Sequence, residues 1–259
     1  MLKISQHRSL RGSIKRFLFA LIILLFAQGM MSFDVIRKST VTFSSTDGLL
    51  ITADRYLTDP ENPYIILFHQ QNSSRGEFMN IARRLCKLDY NCLAVDLRNG
   101  GFSNSISNET VKRCQESKCP NDYHDVENDM QAAIQYAGKV SGKPVILLGS
   151  GANGSLSLML GKTNENVRAV IALSPGEYFM PKINVHDTIA GLEKPVFITS
   201  SVSEIPYVRE LASGIDQEYI TIFEPQLGEG AHGSKALSPR YENNSEYWLG
   251  LMLFFKDLL

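Results

Sequence analysis

Residues 145–148 are Val, Ile, Leu and Leu, side chains suited to a strand buried on both faces, and they run straight into Gly149, Ser150, Gly151, Ala152, Asn153 and Gly154. Beyond these, Leu156, Leu158, Met159 and Leu160 take up a helical pattern. A chain that leaves a buried strand and enters a helix within so few residues must turn sharply, and small side chains are what let the two backbones pass. This restricts the architecture to one in which buried strands feed directly into helices.

The rest of the chain fits that restriction. Residues 41–46 and 49–57 read as two strands around an Asp47-Gly48 turn, an antiparallel start. Residues 64–69 form a continuous apolar run, and from Gly76 onward Phe78, Ile81, Ala82, Leu85 and Cys86 repeat at helical spacing. Residues 92–97 are the next strand. A polar stretch at 99–123 reads as a loop, and its length marks it as more than a connection. Val126, Met130, Ala133, Ile134 and Ala137 outline an amphipathic helix before the strand at 145.

After the turn at 151, strands are expected at 167–173, 195–199 and 219–223. They alternate with helices near 185–192 and 207–212 and a terminal helix through Trp248, Met252 and Phe255. Such alternation implies a mostly parallel sheet of eight strands with helices on both faces, an α/β class.

The amino terminus differs in kind. Lys3, Arg8, Arg11, Lys15 and Arg16 precede an apolar run at 17–26, followed by Ala27, Gln28 and Gly29. This order describes a secretory signal, and extension of the apolar run through Met31 describes an anchor; both readings stay open. Residues 1–32 are therefore set apart from a domain at 33–259, with an exported or membrane-anchored location expected. Export would place the four cysteines in an oxidising compartment, where Cys114 and Cys119, in one polar loop, are the better disulfide candidates; Cys86 and Cys92 suit the core. The net charge of −1 gives no basis for nucleic-acid binding, and no cysteine–histidine spacing suits a metal. Neither a dinucleotide fingerprint nor a phosphate loop is present, so no cofactor is expected.

In open α/β sheets ligands bind beyond the carboxyl ends of the strands. The loops there carry His69, Gln70, Gln71 and Arg75; the Gly149–Gly154 turn; Ser200, Ser201 and Glu204; and Gly228, Gly230, His232 and Gly233. The turn, then an acid, then a histidine, in that order along such a sheet, resembles the α/β-hydrolase superfamily, in particular its small dienelactone-hydrolase-like and esterase-like members of exported bacterial type. Residues 96–101 and 174–179 add to the likeness.

The resemblance implies that Gly151 stands where the nucleophile of a Gly-x-Ser-x-Gly elbow would be. It further implies Glu204 as the acid, His232 as the general base, and the backbone N–H groups of Gln71 and Ala152 as an oxyanion hole. Each position also has a plainer reading. Glu204 suits the start of a helix, His69 a structural hydrogen bond, Asp96 the bracing of a loop, and Arg75 a solvated loop with an anionic substrate as the alternative. Glu177 is a substitute acid and Ser150 a substitute nucleophile, whereas Ser155 lies about a turn into the helix, out of reach of His232. Glycine supplies no atom for covalent attack. Two functions follow: hydrolysis of an ester- or lactone-like small molecule by a water that His232 and Glu204 activate, or an inactive relative that binds a small molecule or protein partner.

Overall fold

The computed structural model describes residues 35–241 and 243–258; the stretch read as a signal or anchor lies outside the described residues. Strands β1 (Arg37–Ser44) and β2 (Leu50–Leu57) pair antiparallel around the Asp-Gly turn, where Gly48 has φ +84°. Then follow β3 (Tyr64–Phe68), helix α1 (Met79–Cys86) and β4 (Asn91–Val95).

The stretch 99–123, expected to be a polar loop, is folded. Strands β5 (Phe102–Ser103) and β6 (Ile106–Ser107) form a short antiparallel ribbon, and helix α2 (Glu109–Ser117) follows. Asn108 caps α2 by accepting a hydrogen bond from Val111 N at 2.8 Å. Of the α2 side chains only Thr110 and Cys114 are buried, so the helix lacks the apolar period that would have announced it. Cys114 forms a disulfide with Cys119, which ties the end of α2 to the turn beyond it. Cys86 and Cys92 are free and buried.

Helix α3 (Tyr123–Ser141) opens with a reciprocal capping box between Asp122 and Asp125. The remaining elements are β7 (Val145–Ser150), α4 (Ala152–Thr163), β8 (Val167–Leu173), α5 (Val185–Ile189), β9 (Val196–Thr199), α6 (Ile205–Leu211), β10 (Ile220–Phe223) and α7 (Asn244–Asp257).

The sheet has eight strands in the order β1-β2-β4-β3-β7-β8-β9-β10. It is parallel from β4 to β10 and antiparallel where β2 meets β1 and β4. Alternate side chains of each strand face opposite cores. Ile66 and Phe68 of β3 pack with Met130 and Ile134 of α3 and with Leu158 of α4. Ile65 and Leu67 pack instead with Leu85 of α1 and with Trp248 and Phe255 of α7. Each such side chain, fully withdrawn from water, contributes about 1.5–3 kcal/mol.

The chain runs outward from β3 to β4 on one side and returns to β7 on the other. The loops after β3 and β7 therefore part from each other, and a crevice between such loops is where an open sheet binds its ligand.

Candidate active site

Gly151 caps α4 with φ +59° and ψ −130°. That backbone conformation costs a residue with a side chain of order 1–3 kcal/mol, and glycine adopts it freely. Its N–H donates to Leu173 O at 2.9 Å, which fastens the turn to the end of β8. Gly149 must also be glycine, because a Cβ there would lie 2.4 Å from both Asn153 O and Ser157 Oγ.

Neither neighbouring serine offers its hydroxyl at the turn. Ser150 is buried, and its Oγ accepts from Ser234 N at 2.9 Å. Ser155 Oγ donates to Gly176 O at 2.8 Å and accepts from Gly176 N at 2.9 Å.

Glu204 closes a short 3₁₀ turn after β9. It accepts from the N–H and hydroxyl of Ser201 at 3.1 and 2.8 Å, so it does serve the helix start that its sequence suggests. The same Oε2 accepts from Ser174 Oγ at 2.9 Å, while Oε1 lies 2.5 Å from Nδ1 of His232. With a carboxylate facing Nδ1, that nitrogen carries the proton, and Nε2 is left with a free lone pair. Burial pushes the Glu204 carboxyl up, but hydrogen bonds from His232, Ser201 and Ser174 outweigh it and hold the group below the usual glutamate range. Both side chains keep 32% of their surface, so the pair is open to a ligand.

The loop that carries His232 hangs from two hydroxyls. Ser174 Oγ, besides donating to Glu204, accepts from Gly233 N at 2.9 Å, and Ser150 Oγ holds Ser234 N. Gly233 has φ +63°, and a Cβ on it would lie 2.5 Å from Ser150 Oγ, so the loop sits directly on the strand ends. Sequence reasoning passed over Ser150 and Ser174 as supports. A serine at the carboxyl end of each adjacent strand was the only signal of it.

Gln71 and Ala152 line the same cavity of about 350 Å³, together with Asn99, Tyr123, Leu156 and Phe179. Among the described residues neither backbone N–H has an acceptor. A larger groove of about 720 Å³ adjoins it, bordered by Glu204, Tyr178, Met180, Tyr207 and His186. Tyr178 and Met180 line both.

The other candidates are engaged elsewhere. His69 is buried, with Nδ1 donating to Gln70 O at 2.8 Å and Nε2 accepting from Leu97 N at 3.0 Å. Asp96 accepts from Arg75 N and Glu109 N, both at 2.8 Å, and braces the loop. Arg75 is neither solvated nor facing a substrate site: its guanidinium is held 2.5 Å from Asp96 and 3.3 Å from Asp54. Two buried carboxylates outbid water for it. Glu177 caps α5 by accepting from Val185 N and His186 N at 2.7 and 2.8 Å.

No protein-family model and no curated protein matches the sequence. Solved structures do match the fold. An esterase from Pyrococcus furiosus superposes with a TM-score of 0.65 at 16% identity, covering 86% of this chain and 93% of that one. A dienelactone hydrolase from Anabaena variabilis gives 0.63 at 12%, covering 85% and 95%. An alpha/beta hydrolase from a Penicillium species gives 0.65 at 13%, covering 86% and 99%. The chain has the α/β-hydrolase fold. His232 and Glu204 stand together beyond the carboxyl ends of the strands, and the turn between β7 and α4 carries glycine.

Proposed function

We propose that this α/β-hydrolase-fold protein hydrolyses an ester-like bond in a small molecule with water itself as the nucleophile. The observation that carries the proposal is the His232–Glu204 pair, held at 2.5 Å and buttressed by Ser174 and Ser201, beside an elbow with no nucleophilic atom. An acid and base kept in such order have a chemical use only if there is a proton to move. The esterases and the dienelactone hydrolase among the structural neighbours support the substrate class.

In this reaction His232 Nε2 takes a proton from water as its oxygen attacks the substrate carbonyl carbon. The carbonyl oxygen, now negative, is received by the N–H groups of Gln71 and Ala152. Collapse breaks the bond to the leaving oxygen, which takes the proton back from the imidazolium. Glu204 stays ionised throughout, fixing the tautomer and balancing the transient charge. A positioned base contributes about 10²–10⁴-fold and one oxyanion donor about 10²–10³-fold, so turnover is expected to be real but slow.

The test is hydrolysis of short chromogenic esters by the wild-type chain and by His232→Ala. A rate that vanishes in the variant supports the proposal, and equal rates end it. Gly151 favours a second reading, a binder without turnover, whose signature is saturable binding of an ester or its product with no hydrolysis. Export is proposed as well, supported by the basic-then-apolar amino terminus and by the Cys114–Cys119 disulfide.

A further inference from the structure

The space beside Gly151 is occupied. Gln70, the second residue after β3, lays its side chain across the elbow. A first side-chain carbon built on Gly151 would sit 3.2 Å from Gln70 Cγ, 3.7 Å from Cδ and 3.8 Å from Nε2. On its other side the carboxamide reaches the base loop, with Oε1 3.5 Å from where a Cβ on Gly233 would be. The amide thus spans from the elbow to the residue next to His232.

The backbone that carries this side chain is firmly held. Gln70 N donates to Glu77 Oε2 at 3.0 Å, and Gln70 O accepts from Ser73 N and His69 Nδ1 at 3.0 and 2.8 Å. One residue earlier, His69 O accepts from Asn153 Nδ2 at 2.6 Å, which ties the β3 loop to the first turn of α4. The Gln70 Cα is therefore fixed relative to Gly151, while among the described residues its side-chain amide has no hydrogen-bond partner. A carboxamide carried on so fixed a backbone and left with its own donors and acceptor unused is available to something that binds there.

We propose that the Gln70 carboxamide takes over the volume of the missing nucleophile and seats the attacking water against His232, an inference that rests on the hydrolytic reading above. The chemistry suits a neutral amide. The attacking water gives one proton to His232 Nε2, needs an acceptor for its second O–H, and must keep a lone pair aimed at the carbonyl carbon. Gln70 Oε1 is that acceptor, and the amide neither titrates nor competes for the proton. Glutamine seats the attacking water in the same way in GTP hydrolysis. Gln70 is on this account a positioning residue, and its pairing with Gly151 is reciprocal: any side chain at 151 would press on its Cγ methylene.

Two variants separate occupancy from hydrogen bonding: Gln70→Met fills the volume without a polar group, and Gln70→Ala empties it. In ester hydrolysis both are expected to lower kcat by about tenfold to a hundredfold with KM unchanged, since misplacement of a reactant has costs of that order. A merely structural role would be rescued by methionine. The second arm needs no native activity. Gly151→Ser is reacted with a fluorophosphonate probe, alone and combined with each Gln70 variant, melting temperature serving as the control for folding. Labelling is expected to be slow beside glutamine or methionine and several-fold faster beside alanine.

Equal labelling in all three, or a Gln70→Met enzyme with wild-type kcat, overturns the proposal. If His232→Ala abolishes turnover while both Gln70 variants keep it, the hydrolytic reading stands and this inference falls. If His232→Ala matches wild type, the water-seating role falls with the hydrolytic reading.

Discussion

Glu204 has two tasks, orienting His232 and closing the turn that begins α6, and one carboxylate oxygen serves each. Its depressed pKa gives this a thermodynamic sign. A carboxyl that is more acidic folded than unfolded stabilises the fold above its unfolded pKa, about 4.3 for a free glutamate. That contribution drains away as pH falls through the lower folded value. Glu204→Gln is therefore expected to flatten the acid side of a plot of melting temperature against pH, with the gap to wild type narrowing below the ordinary glutamate range. A gap that widens in acid would contradict the assignment. At neutral pH the same variant is expected to lose ester turnover, because the amide no longer fixes the tautomer of His232.

At the scale of elements the elbow depends on the near contact of β7 and α4. Gly149→Ala would drive a methyl group into Asn153 O and Ser157 Oγ, and overpacking of this kind costs about 1–3 kcal/mol. The expected result is a lower urea midpoint with unchanged slope, together with reduced activity, since Asn153 also holds the loop that carries Gln70.

Which elements could be read from sequence follows from what each buries. The runs at 64–68 and 145–150 are wholly interior and announced themselves, as did the stripe of α3. Helix α2 was hidden because it rests on the surface, held by a cap and a disulfide more than by an apolar face. Glu204 and His232 were legible from their order after the elbow, with the resemblance supplying their roles. Gln70 was not, since its nearness to Gly151 depends on the bond from Asn153 to His69 O, which joins two loops 84 residues apart in sequence.

For the molecule as a whole the most consequential tie is an ion cluster centred on a buried arginine. Arg98, just beyond β4, is fully buried and meets Asp129 of α3 at 2.6 Å and Asp47 of the β1–β2 turn at 2.6 Å. Burial alone would weaken its charge, but hydrogen bonds to the two carboxylates prevail and hold the guanidinium protonated. Arg98 also donates to Pro120 O at 3.0 Å, next to the Cys114–Cys119 bridge. One side chain thus joins the opening hairpin, the disulfide segment and a central helix. Asp129→Ala leaves a buried cation half-paired, an error of about 3–5 kcal/mol. The expected loss in melting temperature is roughly 10 °C, readable by calorimetry.

The two hydroxyls beneath the histidine loop have a consequence for what can be built here. Ser150 and Ser174 suspend Gly233 and Ser234 from β7 and β8, so the acid–base pair keeps its alignment without any help from residue 151. On the hydrolysis proposed above, the scaffold is a socket already wired for proton transfer. On that proposal, attacking groups of different kinds, a thiol for thioesters or an alcohol for esters, become interchangeable inserts, each requiring that Gln70 be trimmed and that the turn bear the strain of a side chain at φ +59°.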